Sequence, residues 1–437
     1  MLYYSTNSNS ALVDFKEATI KGQAPDGGLY FPERIPELPI QFFENMNNLS
    51  RQEIAYYVIQ PYIGDTIPEH ELKKIVAETI NFDFPLVKVD ENKFSLELFH
   101  GPTLAFKDVG ARFMSRCLGY FVKNSNRKIT VLVATSGDTG GAVASGFFNV
   151  EGIDVVILYP AGKVSSVQEL QLTTYGKNIT ALEVNGNFDD CQQMVKQAFS
   201  DTELNQELFL TSANSINVAR WLPQQFYYLF AYQQWADKSN PPVICVPSGN
   251  FGNICAGLLV HRTGLPVTHF VAACNANNII PKYLESGNYL PKQAVATLSN
   301  AMDVGNPSNF VRVLEIFNKE FQSLKHVMSS YSVSDPETRR ILGEVYTKFH
   351  YLLDPHGAVA FSALEQYLHD HPDQKGIFLE TAHPVKFYDV VEPIIHEKVS
   401  IPDTVKELLD KEKKSIKIEV NYNALKDYLL SRQPAVV

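Results

Sequence analysis

Twice along this chain a strand-length apolar run leads directly into a glycine-containing turn and then into a segment of helical character. The first unit has an expected strand at 128–134, a tight loop at 135–141 and a helix at 142–148, with another strand at 153–159. The second has a strand at 243–246, a loop at 247–253, a helix at 254–261 and a strand at 267–273. Strands that are apolar on both faces are covered on both sides, and alternation with helices makes the sheet parallel. The pattern predicts an α/β fold with two domains and parallel-rich sheets.

A chain of 437 residues with 45% hydrophobic content exceeds one small core. The first ninety or so residues lack the alternation and carry aromatics and turns such as Pro25-Asp26-Gly27-Gly28, so residues 1–92 read as an extra N-terminal lobe. Within it, 69–80 reads as a helix following Pro68, which suits a helix start. The expected α/β domains then span 93–240 and 241–437. Further helices are expected at 335–351, with Asp335 as cap and Pro336 at the first position, and at 358–369, with a short strand at 376–379 before Thr381.

The net charge of −10 and the lack of a basic stripe argue against a nucleic-acid partner. The longest apolar runs fall far short of the roughly 20 residues of a membrane helix, so no membrane association is expected. Met1-Leu2-Tyr3-Tyr4 has neither a basic nor an apolar leader segment, which makes the cytoplasm the expected compartment. Cys117, Cys191, Cys245, Cys255 and Cys274 are dispersed and odd in number, as expected of reduced core thiols. No His or Cys spacing suits a catalytic metal.

Three stretches carry chemistry. In Glu97-Leu98-Phe99-His100-Gly101-Pro102-Thr103-Leu104-Ala105-Phe106-Lys107-Asp108, a lysine closes an apolar, turn-containing segment. Desolvation would make its amine a nucleophile toward an aldehyde, although a lysine stem packed on the surface with its head in water fits the same residues. In Val246-Pro247-Ser248-Gly249-Asn250-Phe251-Gly252-Asn253, a glycine turn between strand and helix offers backbone amides to a phosphate monoester, or merely reverses the chain. It matches neither the phosphate loop of nucleotide hydrolases nor a dinucleotide fingerprint. In Thr135-Ser136-Gly137-Asp138-Thr139-Gly140-Gly141, amides and hydroxyls at a helix start can hold a carboxylate or simply cap the helix.

Together with Ala24-Pro25-Asp26-Gly27-Gly28-Leu29-Tyr30-Phe31-Pro32-Glu33, Asn214-Ser215-Ile216-Asn217, Ala301-Met302-Asp303-Val304-Gly305-Asn306-Pro307-Ser308-Asn309 and Thr381-Ala382-His383-Pro384, these stretches resemble the threonine synthases. These are pyridoxal-phosphate (PLP) enzymes of fold type II, the tryptophan synthase β-like fold. The resemblance is to their longer, microbial-type branch and runs nearly the whole chain. It implies that Lys107 carries the cofactor as a Schiff base, that Gly249, Asn250, Phe251, Gly252 and Asn253 hold its phosphate, and that Thr381 faces its pyridine nitrogen. Asp138 stands where many relatives have asparagine near the phenolic oxygen.

The implied substrate is O-phospho-L-homoserine, converted with water to L-threonine and phosphate. Its carboxylate would rest on Thr135, Ser136, Gly137, Asp138 and Thr139. Lys163, Asn217 and Arg220 are candidates for the leaving phosphate, whereas Arg112 reads as a structural ion pair. The alternative is a PLP-dependent phospholyase that releases 2-oxobutyrate, ammonia and phosphate; a dinucleotide oxidoreductase or a binding protein fits less well. A monomer or homodimer is compatible with the sequence.

Overall fold

The computed structural model describes residues 1–123 and 128–432, so 124–127 in the second expected domain and 433–437 at the end of the third lie outside the described residues. The strands are β1 (Leu2–Ser5), β2 (Val13–Asp14), β3 (Tyr30–Pro32), β4 (Leu86–Lys88), β5 (Lys93–Glu97), β6 (Ile129–Ala134), β7 (Ile153–Pro160), β8 (Ile179–Val184), β9 (Phe209–Ser212), β10 (Val243–Pro247), β11 (His269–Cys274), β12 (Met328–Ser332), β13 (Gly376–Glu380) and β14 (Ser415–Ile418). They form three sheets. An antiparallel one orders β2-β1-β3, a six-stranded one orders β12-β11-β10-β13-β5-β4, and a five-stranded one orders β14-β8-β7-β6-β9. The five-stranded sheet is wholly parallel, and the six-stranded sheet is parallel except where β4 runs against β5.

Burial explains the apolar runs. Every residue of β6, β10 and β13 is buried, as a central parallel strand covered by helices on both faces requires. The five cysteines are buried and unpaired. Among the described residues no helix is long and apolar enough to cross a membrane.

The sheets do not follow chain order. β5, from the 93–240 segment, pairs with β13 in the six-stranded sheet, and β14, from the 241–437 segment, closes one edge of the five-stranded sheet beside β8. Lateral hydrogen bonding places a strand beside its partner whatever the distance along the chain, so sheet membership crosses the 92/93 and 240/241 divisions. Local boundaries shift as well. The helix after β6 spans Asp138–Phe147 and so takes in residues 138–141 of the expected loop. The helix Asp335–Phe349 is capped by Ser334, whose side chain accepts from Glu337 N, leaving Asp335 in the first turn. Arg112 donates to the Glu78 carbonyl and to Asn81 Oδ1; the ion pair with the Glu78 carboxylate belongs to Arg116.

One fully buried side chain ties the parts together. Arg312 donates to the carbonyls of Tyr30 (2.9 and 3.1 Å), Ser215 (3.1 Å) and Ile216 (2.6 Å) and to Asn309 Oδ1 (2.8 Å), and lies 4.5 Å over the Trp221 ring. Tyr30 belongs to the N-terminal sheet and Ser215 to the segment after β9, so this guanidinium fastens three regions. Burial pulls its pKa down to about 10. Arg312→Ala would strand several buried carbonyls without donors and is expected to cost about 3 kcal/mol or more, measured as an earlier unfolding midpoint in denaturant.

Candidate active site

β10, β13 and β5 are consecutive, parallel neighbours, so their carboxyl ends emerge side by side. With neighbouring strands about 4.8 Å apart, two spacings place the ends of β10 and β5 within roughly 10 Å. Past β10 comes the glycine loop, past β13 comes Thr381, and past β5 the chain turns through Leu98–Phe106 into the helix Lys107–Val122. Phe106 N donates to Thr381 O (2.9 Å), His383 N donates to Leu104 O (3.0 Å), and Ala105 bridges Ala382. Lys107 and Thr381 are thus locked to one another through the backbone.

The turn before Lys107 is tightened from within. The buried Asp108 carboxylate accepts from Thr103 N (2.9 Å) and Thr103 Oγ1 (2.5 Å). Lys107 keeps 17% of its side-chain exposure, so it faces an opening and yet sits in a poorly solvated setting. Burial holds its ammonium below the ordinary range, opposed by the Asp138 carboxylate and reinforced by the charges of Lys386 and Arg220.

Thr381 stands on a buried carboxyl pair. Glu380 Oε1 accepts from Asp354 N (2.6 Å), while Asp354 Oδ2 accepts from Ala382 N (3.1 Å), so the residues on either side of Thr381 are both clamped. Burial pushes the Glu380 carboxyl far up, and the neighbouring Asp354 adds to the push. The Thr381 side chain is nearly buried, and its hydroxyl makes no hydrogen bond among the described residues.

In the glycine loop, Phe251 adopts a left-handed φ of 62° at the start of the helix Gly252–Arg262. A side chain at Gly249 would place Cβ 2.6 Å from Met302 Cα, so only glycine lets the 300–302 turn close over the loop. Asn250 ties the loop to two other segments: Oδ1 accepts from Ser308 N (2.7 Å) and Oγ (2.8 Å), and Nδ2 donates to Ser215 Oγ (2.8 Å). Among the described residues, the backbone amides of Gly249, Asn250, Phe251, Gly252 and Asn253 donate to no protein acceptor. Five consecutive free N–H groups at a helix start are a donor set able to hold a phosphate.

The loop after β6 is held differently. Thr135 Oγ1 accepts from Gly137 N (2.9 Å) and Gly140 N (2.8 Å), and so shapes the turn. Gly137 has φ 132°, and a Cβ there would meet the Gln168 amide at 2.5 Å. Ser136 and Thr139 are half-buried, and their hydroxyls make no hydrogen bond among the described residues. Asp138 is buried and accepts from Gln168 Nε2 (2.9 Å) and Lys386 Nζ (2.8 Å), with Lys107 Nζ at 3.4 Å. Burial favours its neutral form, but the two lysines outweigh that and hold the carboxyl far below the usual range.

The three candidates for a leaving phosphate separate. Asn217 is spent: fully buried, it caps the short helix Val218–Trp221 and donates to Thr19 O and Ser212 O. Lys163 is exposed on the loop after β7. Arg220 is buried, donates through Nη1 to Ala213 O, and leaves Nε without a partner. Sequence reading passed over Lys386, Gln168 and Asp354. The available signal for Lys386 was a lysine between Val385 and Phe387, five residues past Thr381, in an otherwise apolar stretch.

Comparison with known proteins follows the same lines. Residues 85–379 match the family model "Pyridoxal-phosphate dependent enzyme", residues 2–80 match "Threonine synthase N terminus", and residues 357–429 match "Threonine synthase, C-terminal". The chain is 44% identical to the threonine synthase of Haemophilus influenzae, over 98% of this chain and 100% of that one. To the Escherichia coli enzyme it is 41% identical, over 99% and 100%. The crystal structure of Escherichia coli threonine synthase superposes with a TM-score of 0.93 at 40% identity, covering 99% and 100% of the two chains. PLP-bound threonine synthase from Brucella melitensis gives 0.93 at 33% identity with full coverage of both.

His383 links this site to stability. Burial, with the nearby His100, lowers its pKa to about 4, and its Nδ1 accepts from Val385 N (3.1 Å), which requires an unprotonated ring nitrogen. The unfolded chain takes up this proton near pH 6.5 and the native one only near pH 4, so stability is full above 6.5 and falls as pH drops through that window. His383→Asn, which keeps an acceptor but does not titrate, is expected to flatten the decline in unfolding midpoint between pH 7 and 4.5.

Proposed function

The chain belongs to the threonine synthase family of PLP-dependent enzymes, and from that premise we propose that it converts O-phospho-L-homoserine and water to L-threonine and phosphate, as the last, cytoplasmic step of threonine biosynthesis. The observation that carries the reading is the pairing of a desolvated amine, Lys107, with five unclaimed amides from Gly249 to Asn253 at one edge of one sheet. An aldehyde with a phosphate tail fits that donor set: the amine would hold the aldehyde carbon and the amides would hold the phosphate. Thr381, whose hydroxyl is uncommitted, is assigned to the pyridine nitrogen; a hydroxyl does not enforce a protonated ring as a carboxylate would.

Bound there, PLP supplies an electron sink for charge developing on the carbons of an amino-acid substrate. Lys107 Nζ, in its neutral form, would take the Cα proton of the substrate and then a Cβ proton. The free hydroxyls of Ser136 and Thr139, with the amides at the start of the helix Asp138–Phe147, orient the substrate carboxylate. Arg220, cationic and with Nε unpaired, stabilises the departing phosphate from Cγ, with Lys163 at the exposed rim. A proton returned to Cγ, the hydroxyl of water added at Cβ and a proton returned to Cα give threonine, and the remaining proton leaves with the phosphate.

Product analysis tests the reaction. Purified enzyme given O-phosphohomoserine is expected to release threonine and phosphate in equal amounts; 2-oxobutyrate with ammonia would assign the phospholyase reaction instead. Borohydride reduction is expected to label Lys107, and Lys107→Ala should lose at least about 1,000-fold in turnover with its circular dichroism unchanged.

A further inference from the structure

Two lysine amines share one buried carboxylate beside the glycine turn at Gly137. Lys386, in the short 3-10 helix Pro384–Phe387, has no exposed side-chain surface. Its Nζ lies 2.8 Å from Asp138 Oδ1 and 2.9 Å from the Thr103 carbonyl. Lys107 Nζ is 3.4 Å from the other carboxylate oxygen, Asp138 Oδ2. Gln168 Nε2 supplies the remaining donor to Asp138.

The charged groups facing Lys107 come from three elements: Asp138 from the helix after β6, Lys386 from the 3-10 helix, and Arg220 from the helix Val218–Trp221. Asp108, next in sequence, is turned to Thr103. A poorly solvated site tolerates the charge it can pair and expels the rest. Two amines and a guanidinium face the Asp138 carboxylate and Asp108, which also feels Lys386 and Arg220 but which burial pushes toward its neutral acid, so a surplus of positive charge is left. An arginine does not shed its proton, so the relief falls on a lysine. Of the two, Lys386 has the shorter contact with the carboxylate, a second acceptor in the Thr103 carbonyl, and no solvent-exposed surface.

We propose that Lys386 is a positioning residue that takes Asp138 as its counter-ion, so that Lys107 is the amine left free to exist without its proton. This rests on Lys107 being the amine that captures the coenzyme. The same contacts hold the Thr103 carbonyl, and with it the turn that leads into Lys107. Lys386 therefore sets both the place and the protonation of an amine it need not touch.

The test is the pH dependence of PLP uptake by the full-length chain stripped of coenzyme, followed through visible absorbance, with borohydride trapping and peptide mapping of each sample. Lys386→Met leaves Asp138 to hold the Lys107 proton and is expected to move the acid limb of uptake upward by about 1 to 3 pH units. Lys386→Arg, which keeps the charge, is expected to stay close to wild type, and Asp138→Asn to move the limb downward. An unshifted limb in folded Lys386→Met, or an equal shift in Lys386→Arg, overturns the proposal. If Lys386→Met does not fold, the double variant with Asp138→Asn decides. Removing the pair together should leave the limb near wild type, and a displacement beyond about one unit overturns the proposal. Trapping at a lysine other than Lys107 defeats the coenzyme assignment itself, and this inference with it.

Discussion

The parallel pairing of β5 with β13, and of β13 with β10, is the constraint on which the site depends. Register along these ladders fixes where each strand ends, and each strand end launches one part of the proposed site: the turn into Lys107, Thr381, and the amides of 249–253. None of the three is close to another in sequence. The pairing also explains why a strand that precedes the five-stranded sheet in the chain belongs to the other sheet. Without that exchange, Lys107 would be carried by a different layer from the amides it is paired with.

Around this edge the protein buries two guanidiniums that have no carboxylate as their main partner. Arg220 and Arg312 are buried with carbonyls, rather than carboxylates, as their main partners, and Lys386 is balanced by Asp138. Carbonyl dipoles solvate a guanidinium without cancelling its charge. The acidic counterpart lies beneath Thr381, where Asp354 and Glu380 are crowded together and burial favours the neutral acid for Glu380. There the carboxyls serve as clamps on the backbone.

Legibility from sequence differed by the range of the interaction involved. Buried parallel strands were visible as apolar runs because both faces are covered. The helix after β6 starts inside the expected loop because Asp138 and Thr139 suit a first turn as well as they suit a loop, and residue type alone does not separate the two. Asn217 looked like a phosphate ligand by type, whereas its amide is consumed by Thr19, Ser212 and its own helix cap. Nothing local in Asn214-Ser215-Ile216-Asn217 announces a partner 198 residues away.

By itself, the sequence determined the strand and turn chemistry: which runs had to be buried, where glycine frees the backbone, and which lysine ends an apolar turn. Those are properties of a residue and its near neighbours, governed by apolar periodicity and backbone sterics. Tertiary structure decided which strands lie side by side, that Asp138 answers to two amines, and that Arg312 joins three regions. These depend on lateral hydrogen bonds and on desolvation, and both are set by what approaches from elsewhere in the chain.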